Sequence, residues 1–170
     1  MSPAKRRDRP RTEKMRPLFP DDLIVHHVDG GERDQALGEL LNNLVMAGRL
    51  DLSREREVRG QILEREEVAS TGIGNGIAIP HCKTKWADRL GLCVGISQQG
   101  IDFDSHDSAP VHVIMLWICP PSATKQHLAL MRAIAAIAKD PKESYRLADC
   151  KDRRSFLNAL DNIEAPAKAK

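Results

Sequence analysis

Residues 65–81 read Arg65-Glu-Glu-Val-Ala-Ser-Thr-Gly-Ile-Gly-Asn-Gly-Ile-Ala-Ile-Pro-His81, and the chain changes its periodicity across them. Upstream, apolar residues recur at spacings of three and four; downstream, they first alternate. Within the segment Gly72, Gly74 and Gly76 alternate with Ile73, Asn75 and Ile77. A helix cannot continue through glycines so closely spaced, because each of them favours other backbone states. Helical patterns that give way to strand patterns and then return indicate an α/β chain with one sheet covered by helices.

Working outward from the glycines, Leu23-Ile-Val25 can open a strand, and Leu37, Leu40, Leu41, Leu44 and Val45 form one apolar helical face. Asp34 suits the N-cap of that helix and Gly48 its C-terminal stop. A second helix is expected from Ser53 to about Glu67, with Val58, Ile62 and Leu63 inward. Beyond His81, Leu90, Leu92, Val94 and Ile96 alternate with smaller residues as a strand does. Val111 to Ile118 is apolar almost throughout, as in a central strand covered on both faces, and Pro120-Pro121 ends it. Helical spacing returns from about Thr124 to Lys139, where Asp140-Pro141 stops it, and again around Asp152 to Ile163.

The 170 residues suit one domain with tails: a basic, disordered leader over 1–20, a folded domain over 21–165 and a frayed end over 166–170. The net charge of +2 hides an asymmetry. Residues 1–16 hold seven Lys or Arg against Asp8 and Glu13, a net of +5, so the remainder is −3. A solvated leader fits that composition better than a nucleic-acid arm, and a mildly acidic folded part speaks against nucleic acid as the main partner. No apolar run approaches the roughly eighteen residues of a membrane span. Four widely spaced cysteines (Cys82, Cys93, Cys119, Cys150) argue for reduced thiols in a cytoplasm.

Most of the six histidines need no special role. His81 stands apart because Pro80 fixes the backbone before it, Lys83 and Lys85 follow it, and the glycines allow backbone N–H groups to line up around an anion. A neutral imidazole is a nucleophile that can hold a phosphoryl group, and forked Arg donors such as Arg65 suit the transferred oxygens. His127, in the first turn of the helix after Pro121, is a second candidate. Taken alone, these residues are as compatible with a structural turn as with an anion site. The Walker and Rossmann glycine patterns are missing, and His81-Cys82 is a poor zinc pair.

The stretch Arg65 to His81 resembles the phosphorylation segment of EIIA domains of the fructose/mannitol type, components of the bacterial phosphoenolpyruvate-dependent phosphotransferase system. Thr71-Gly-Ile-Gly-Asn-Gly-Ile-Ala-Ile-Pro-His81 is the specific part, and its likeness is greatest to the nitrogen-regulatory EIIA subgroup. Gln126-His127-Leu128 resembles the second histidine motif, Ile101-Asp-Phe-Asp104 a sheet-edge segment, and the similarity runs from about Leu23 to Ile163. The resemblance implies a mixed sheet of about five strands flanked by helices on both faces. It implies that His81 accepts phosphate from an HPr-type carrier without metal or other cofactor, that His127 stabilises the group and that Arg65 neutralises its charge. Thr71, Gly72, Gly74 and Gly76 would then bind the phosphoryl group. The implied site is shallow, since donor and acceptor must reach one nitrogen in turn. A regulatory target or a sugar-specific EIIB would lie downstream; a binding module that has lost phosphotransfer is the third possibility. Cys82 stands where relatives commonly carry Gly, and the basic leader lies outside the family pattern.

Overall fold

A computed structural model describes residues 13–29 and 31–166. Its elements in chain order are β1 (Ile24–His27), α1 (Arg33–Met46), α2 (Leu52–Val68), β2 (Gly72–Gly74), β3 (Ile77–Ala78), β4 (His81–Lys83), β5 (Gly91–Ile101), β6 (Val111–Cys119), α3 (Thr124–Ala138), α4 (Pro141–Ala148) and α5 (Arg153–Asp161). The strands form one mixed sheet in the order β1-β5-β6-β3-β2, with β4 also paired to β6. β3 and β4 lie end to end along the same edge of β6, both parallel to it. Pro80 stands between them and has no N–H to give the ladder. Six strand segments therefore make a sheet five strands wide, in agreement with the expected architecture.

β6 is the central strand, and its continuous apolar run is explained by burial on both faces. Val113, Met115, Trp117 and Cys119 pack with Leu130, Ile134 and Ile137 of α3 and with Phe156 and Leu160 of α5. The alternate residues Ile114, Leu116 and Ile118 face Leu37, Leu40, Leu41 and Leu44 of α1 and Val58 and Ile62 of α2. One strand thus carries two cores, with residues of successive parity assigned to opposite faces. α1 begins at Arg33 with Glu32 as N-cap, so Asp34 lies in the first turn instead of capping it. Gly48 ends that helix as expected, at φ +69°.

Two expectations need correction. The leader was expected to run to residue 20, yet the fold includes residues from 13 onward. Lys14 bridges Glu164 antiparallel, the Met15 N–H donates to the Ile163 carbonyl at 3.0 Å, and Met15 and Phe19 are buried. Those few apolar side chains are hidden by the arginines around them when the segment is averaged, but they fill the core beneath α3 and α5. Residues 1–12 of the leader and 167–170 of the tail lie outside the described residues. Asp140-Pro141, read as a stop, also starts α4: the Asp140 side chain accepts from the Lys142 N–H at 3.0 Å, and Pro141 occupies the first helical turn. α4 is short, and of its eight residues only Ser144 and Leu147 are buried.

Because Met15 is fully enclosed, Met15→Ala is expected to lower stability by about 2–5 kcal/mol. Urea unfolding measures this, and a change under 0.5 kcal/mol (the order of a surface substitution) would mean that residues 13–20 are an appendage.

Candidate active site

α2 starts at a proper cap, with the Asp51 side chain accepting from the Ser53 N–H at 2.8 Å. It buries Val58, Ile62 and Glu66, four residues apart. Gln61 and Arg65, also four apart, form the neighbouring stripe and face the hollow beside β4. At the far end of α2 the buried Glu66 carboxylate accepts from the Thr71 N–H at 3.0 Å and from the Thr71 hydroxyl. That pairing ties the helix end to the start of the β2–β3 hairpin. Arg65 donates one N–H to the Ala69 carbonyl at 2.8 Å, which leaves other guanidinium donors for a ligand.

His81 opens β4 directly opposite Trp117 of β6. Its Nδ1 lies 2.7 Å from the Ile79 carbonyl oxygen. A carbonyl only accepts, so Nδ1 carries the ring proton and Nε2 keeps its lone pair. The imidazole stacks on the Trp117 indole, with centroids 4.6 Å apart and planes 10° from parallel. His127, in the first turns of α3, is buried with its ring centroid 5.2 Å from that of His81. The indole N–H of Trp117 donates to His127 Nδ1 at 3.0 Å. A shallow hollow of about 390 Å³ is lined by Gln61, Arg65, His81, Cys82, Lys83 and His127.

The electrostatics favour neutral rings and an anionic guest. Burial is the main cause that pushes the His81 pKa below 6.5, and Arg65 and Lys83 act in the same direction, against the Ile79 hydrogen bond and Glu66. Burial also lowers His127, helped by His81 and Lys83. Cys82 adjoins the nucleophile, but burial drives its thiol up to about 11, so it stays protonated and does not compete. Its Sγ–H donates to Gln61 Oε1 at 3.0 Å.

The fold brings Arg65, His81 and His127 together, with Lys83 beside them. It does not bring the glycines there. Asn75 (φ +51°) and Gly76 (φ +77°) are the two central residues of a tight hairpin turn, both in the left-handed region. Ile77 pairs with Val113 whereas His81 pairs with Trp117, four strand positions or roughly 13 Å further on. Gly72 packs so closely that an added Cβ would stand 2.3 Å from Ser105 Oγ. Thr71 is buried on Glu66, so neither it nor Gly72, Gly74 or Gly76 lines the hollow, contrary to the phosphoryl-binding role expected of them. Lys85 lies over the Trp86 ring instead, 4.6 Å from its centroid. Asn75-Gly76 was itself a readable hairpin signal. Gln61, one helical turn before Arg65, could likewise have been inferred to share its face. Trp117 could not, because only strand register sets it beneath His81.

The mixed sheet thus presents a neutral imidazole with a free lone pair beside a second histidine and an arginine, an arrangement suited to carrying a phosphoryl group. The family model described as phosphoenolpyruvate-dependent sugar phosphotransferase system, EIIA 2, matches residues 17–163, and the chain belongs to that family. Among curated relatives, a nitrogen regulatory protein of Pseudomonas aeruginosa is 35% identical over 120 residues, 71% of this chain and 76% of its own length. The crystal structure of nitrogen regulatory protein IIA-Ntr from Neisseria meningitidis has the same fold, with TM-score 0.73 at 23% identity, covering 86% of this chain and 98% of that one. So does the IIA component in the complex of IIA mannitol with phosphorylated IIB mannitol from Escherichia coli, with TM-score 0.67 at 17% identity over 84% of this chain and 96% of that one.

Two outcomes follow. Gly76→Ala places an L-residue at φ +77° and is expected to lose about 1–2 kcal/mol of stability while the folded variant still accepts phosphate. Loss of acceptance at unchanged stability would return the glycines to the site. The His81 resonances should titrate below pH 6.5. The sign follows from the neutral ring being the nucleophile: a lowered pKa keeps acceptance full at pH 7 and loses it only as pH falls through that lowered value. A titration midpoint above 6.5 would contradict this.

Proposed function

We propose that His81 Nε2 accepts a phosphoryl group from a phosphohistidine of an HPr-type carrier and passes it to a downstream protein in a regulatory branch. The single observation behind this reading is the hydrogen bond from His81 Nδ1 to the Ile79 carbonyl, which leaves the Nε2 lone pair free. In the transfer that lone pair forms an N–P bond as the donor's N–P bond breaks, and its electron pair returns to the donor imidazole. The proton stays on His81 Nδ1, which donates it to the Ile79 carbonyl throughout. Arg65 and Lys83 supply positive charge to the three phosphoryl oxygens, and His127, which lines the same hollow, stabilises them. Because the two end states are both phosphoimidazoles, the exchange is close to balanced and runs in either direction. The openness of the hollow suits alternate visits by two partner proteins.

The nitrogen regulatory relative supports the regulatory branch, with phosphorylation of His81 controlling which target is bound. The mannitol complex supports a second reading, transfer to a sugar-specific EIIB. The protein acts as a carrier, not as a catalyst of small-molecule turnover. Its four free, buried cysteines suit a reducing cytoplasm, where its partners are proteins and not nucleic acid. No helix among the described residues is long and apolar enough to cross a membrane.

With phosphoenolpyruvate, enzyme I and an HPr-type carrier, the wild-type protein is expected to gain an acid-labile phosphate that His81→Ala abolishes. Equal labelling of that variant would refute the proposal. His127→Ala should slow uptake by on the order of 10² without moving the label, as for loss of one preorganised donor. Arg65→Lys keeps the charge but loses the fork, so it should also slow transfer, and unchanged rates would remove Arg65 from the mechanism. Target capture that depends on phosphorylation state, without onward transfer to an EIIB, separates the regulatory reading from the sugar one.

A further inference from the structure

Trp117 touches both histidines, yet it lies wholly inside the protein. Its indole is a donor only, and it donates to His127 Nδ1 at 3.0 Å. That bond can exist only while His127 Nδ1 is unprotonated. A neutral His127 therefore carries its proton on Nε2. His81 is held in the opposite tautomer, because its Nδ1 faces the Ile79 carbonyl at 2.7 Å. Both Nδ1 atoms are thus committed to bonds inside the protein. Of the two Nε2 atoms, that of His81 has a lone pair and that of His127 an N–H.

We propose that Trp117 is a positioning residue for the transfer: it sets His127 as an Nε2–H donor to the phosphoryl group and supports His81 as the only acceptor. The proposal rests on the reading of His81 as the phosphorylated residue. It accounts for a choice that two histidines 5.2 Å apart would otherwise leave open. With its Nε2 protonated and its Nδ1 lone pair taken by the indole, His127 has no free lone pair with which to attack phosphorus. Stacking on the same indole holds the His81 ring while its Nε2 is approached.

Protonation of His127 at Nδ1 would set two N–H groups against each other in a buried place, so the indole opposes that protonation. Two groups facing His127 from β4, His81 and Lys83, act in the same direction; Arg65 on α2 lines the same hollow, and Trp117 on β6 is uncharged. Cys82, also in the hollow, remains a neutral thiol. A tryptophan that only filled the core would leave the tautomer and titration of His127 to solvent.

Long-range ¹H–¹⁵N correlation spectra of the uniformly ¹⁵N-labelled wild-type protein at neutral pH distinguish the imidazole tautomers. The expected result is His127 in the Nε2–H form and His81 in the Nδ1–H form; His127 in the Nδ1–H form overturns the proposal without recourse to any variant. Trp117→Phe keeps a ring beneath His81 and removes the N–H. It is expected to mix the His127 tautomers, raise the pH at which His127 titrates, and slow uptake at His81 about tenfold, less than the roughly hundredfold of deleting a donor. Some label should also appear on His127. An unchanged His127 tautomer and pH profile in folded Trp117→Phe would reduce Trp117 to packing. Failure of the wild type to label at His81 is a separate result, one that removes the phosphoacceptor reading while the tautomers can still be read.

Discussion

The pairing of β4 with β6 is the constraint on which the site depends. It sets His81 opposite Trp117 and places Lys83 opposite Cys119, at the end of the sheet where α2 and α3 also bring their functional residues. β6 can hold that position because it is buried on both faces, each parity of its residues engaging a different helical layer. A slip of one residue would turn Trp117 toward the α1–α2 layer and away from both histidines. The same apolar run therefore specifies the core and the register of the reacting group. The geometry of the hollow and the packing of the core come from one set of contacts.

The hairpin and the proline serve this register. Asn75 and Gly76 turn the chain back in two residues, and Gly72 lets the backbone press against Ser105. Ile77 and Ala78 then lock onto β6, Pro80 interrupts the ladder, and His81 re-enters it with its ring folded toward the Ile79 carbonyl. Glu66 and Thr71 join this unit to α2, so Arg65 is held relative to His81 by the buried carboxylate of its own neighbour in the helix. The glycines act on the hollow through this placement, since none of them lines it.

The open hollow and the neutral rings belong to the same logic. A carrier must take and release its phosphoryl group with little change in free energy, so the site supplies cations at its rim and keeps the histidines uncharged by burial. Burial at the base fixes tautomers; exposure at the rim admits partner proteins. Membership of the EIIA 2 family is consistent with both properties.

Much of this was legible in the chain itself. Spacing of Leu37, Leu40, Leu41 and Leu44 and of Leu130, Ile134 and Ile137 marks helices because burial on one face needs that period, and Val111–Cys119 marks a central strand because burial on both faces needs none. The motif ending in His81, with Arg65 and His127, was legible as a family pattern. What stayed hidden depends on contacts between distant segments. Met15 and Phe19 join the core although arginines surround them, and α4 forms on one cap and two buried residues. The glycines looked like an anion cradle because sequence shows that backbone can approach something, but not what; here it approaches Ser105. Sequence determined the elements, which follow from local periodicity, and singled out His81 through its family motif. Tertiary structure alone decided which groups share the hollow, which nitrogen of each histidine is free and that Trp117 links the two, because hydrogen bonds and register between segments far apart in the chain have no local signature.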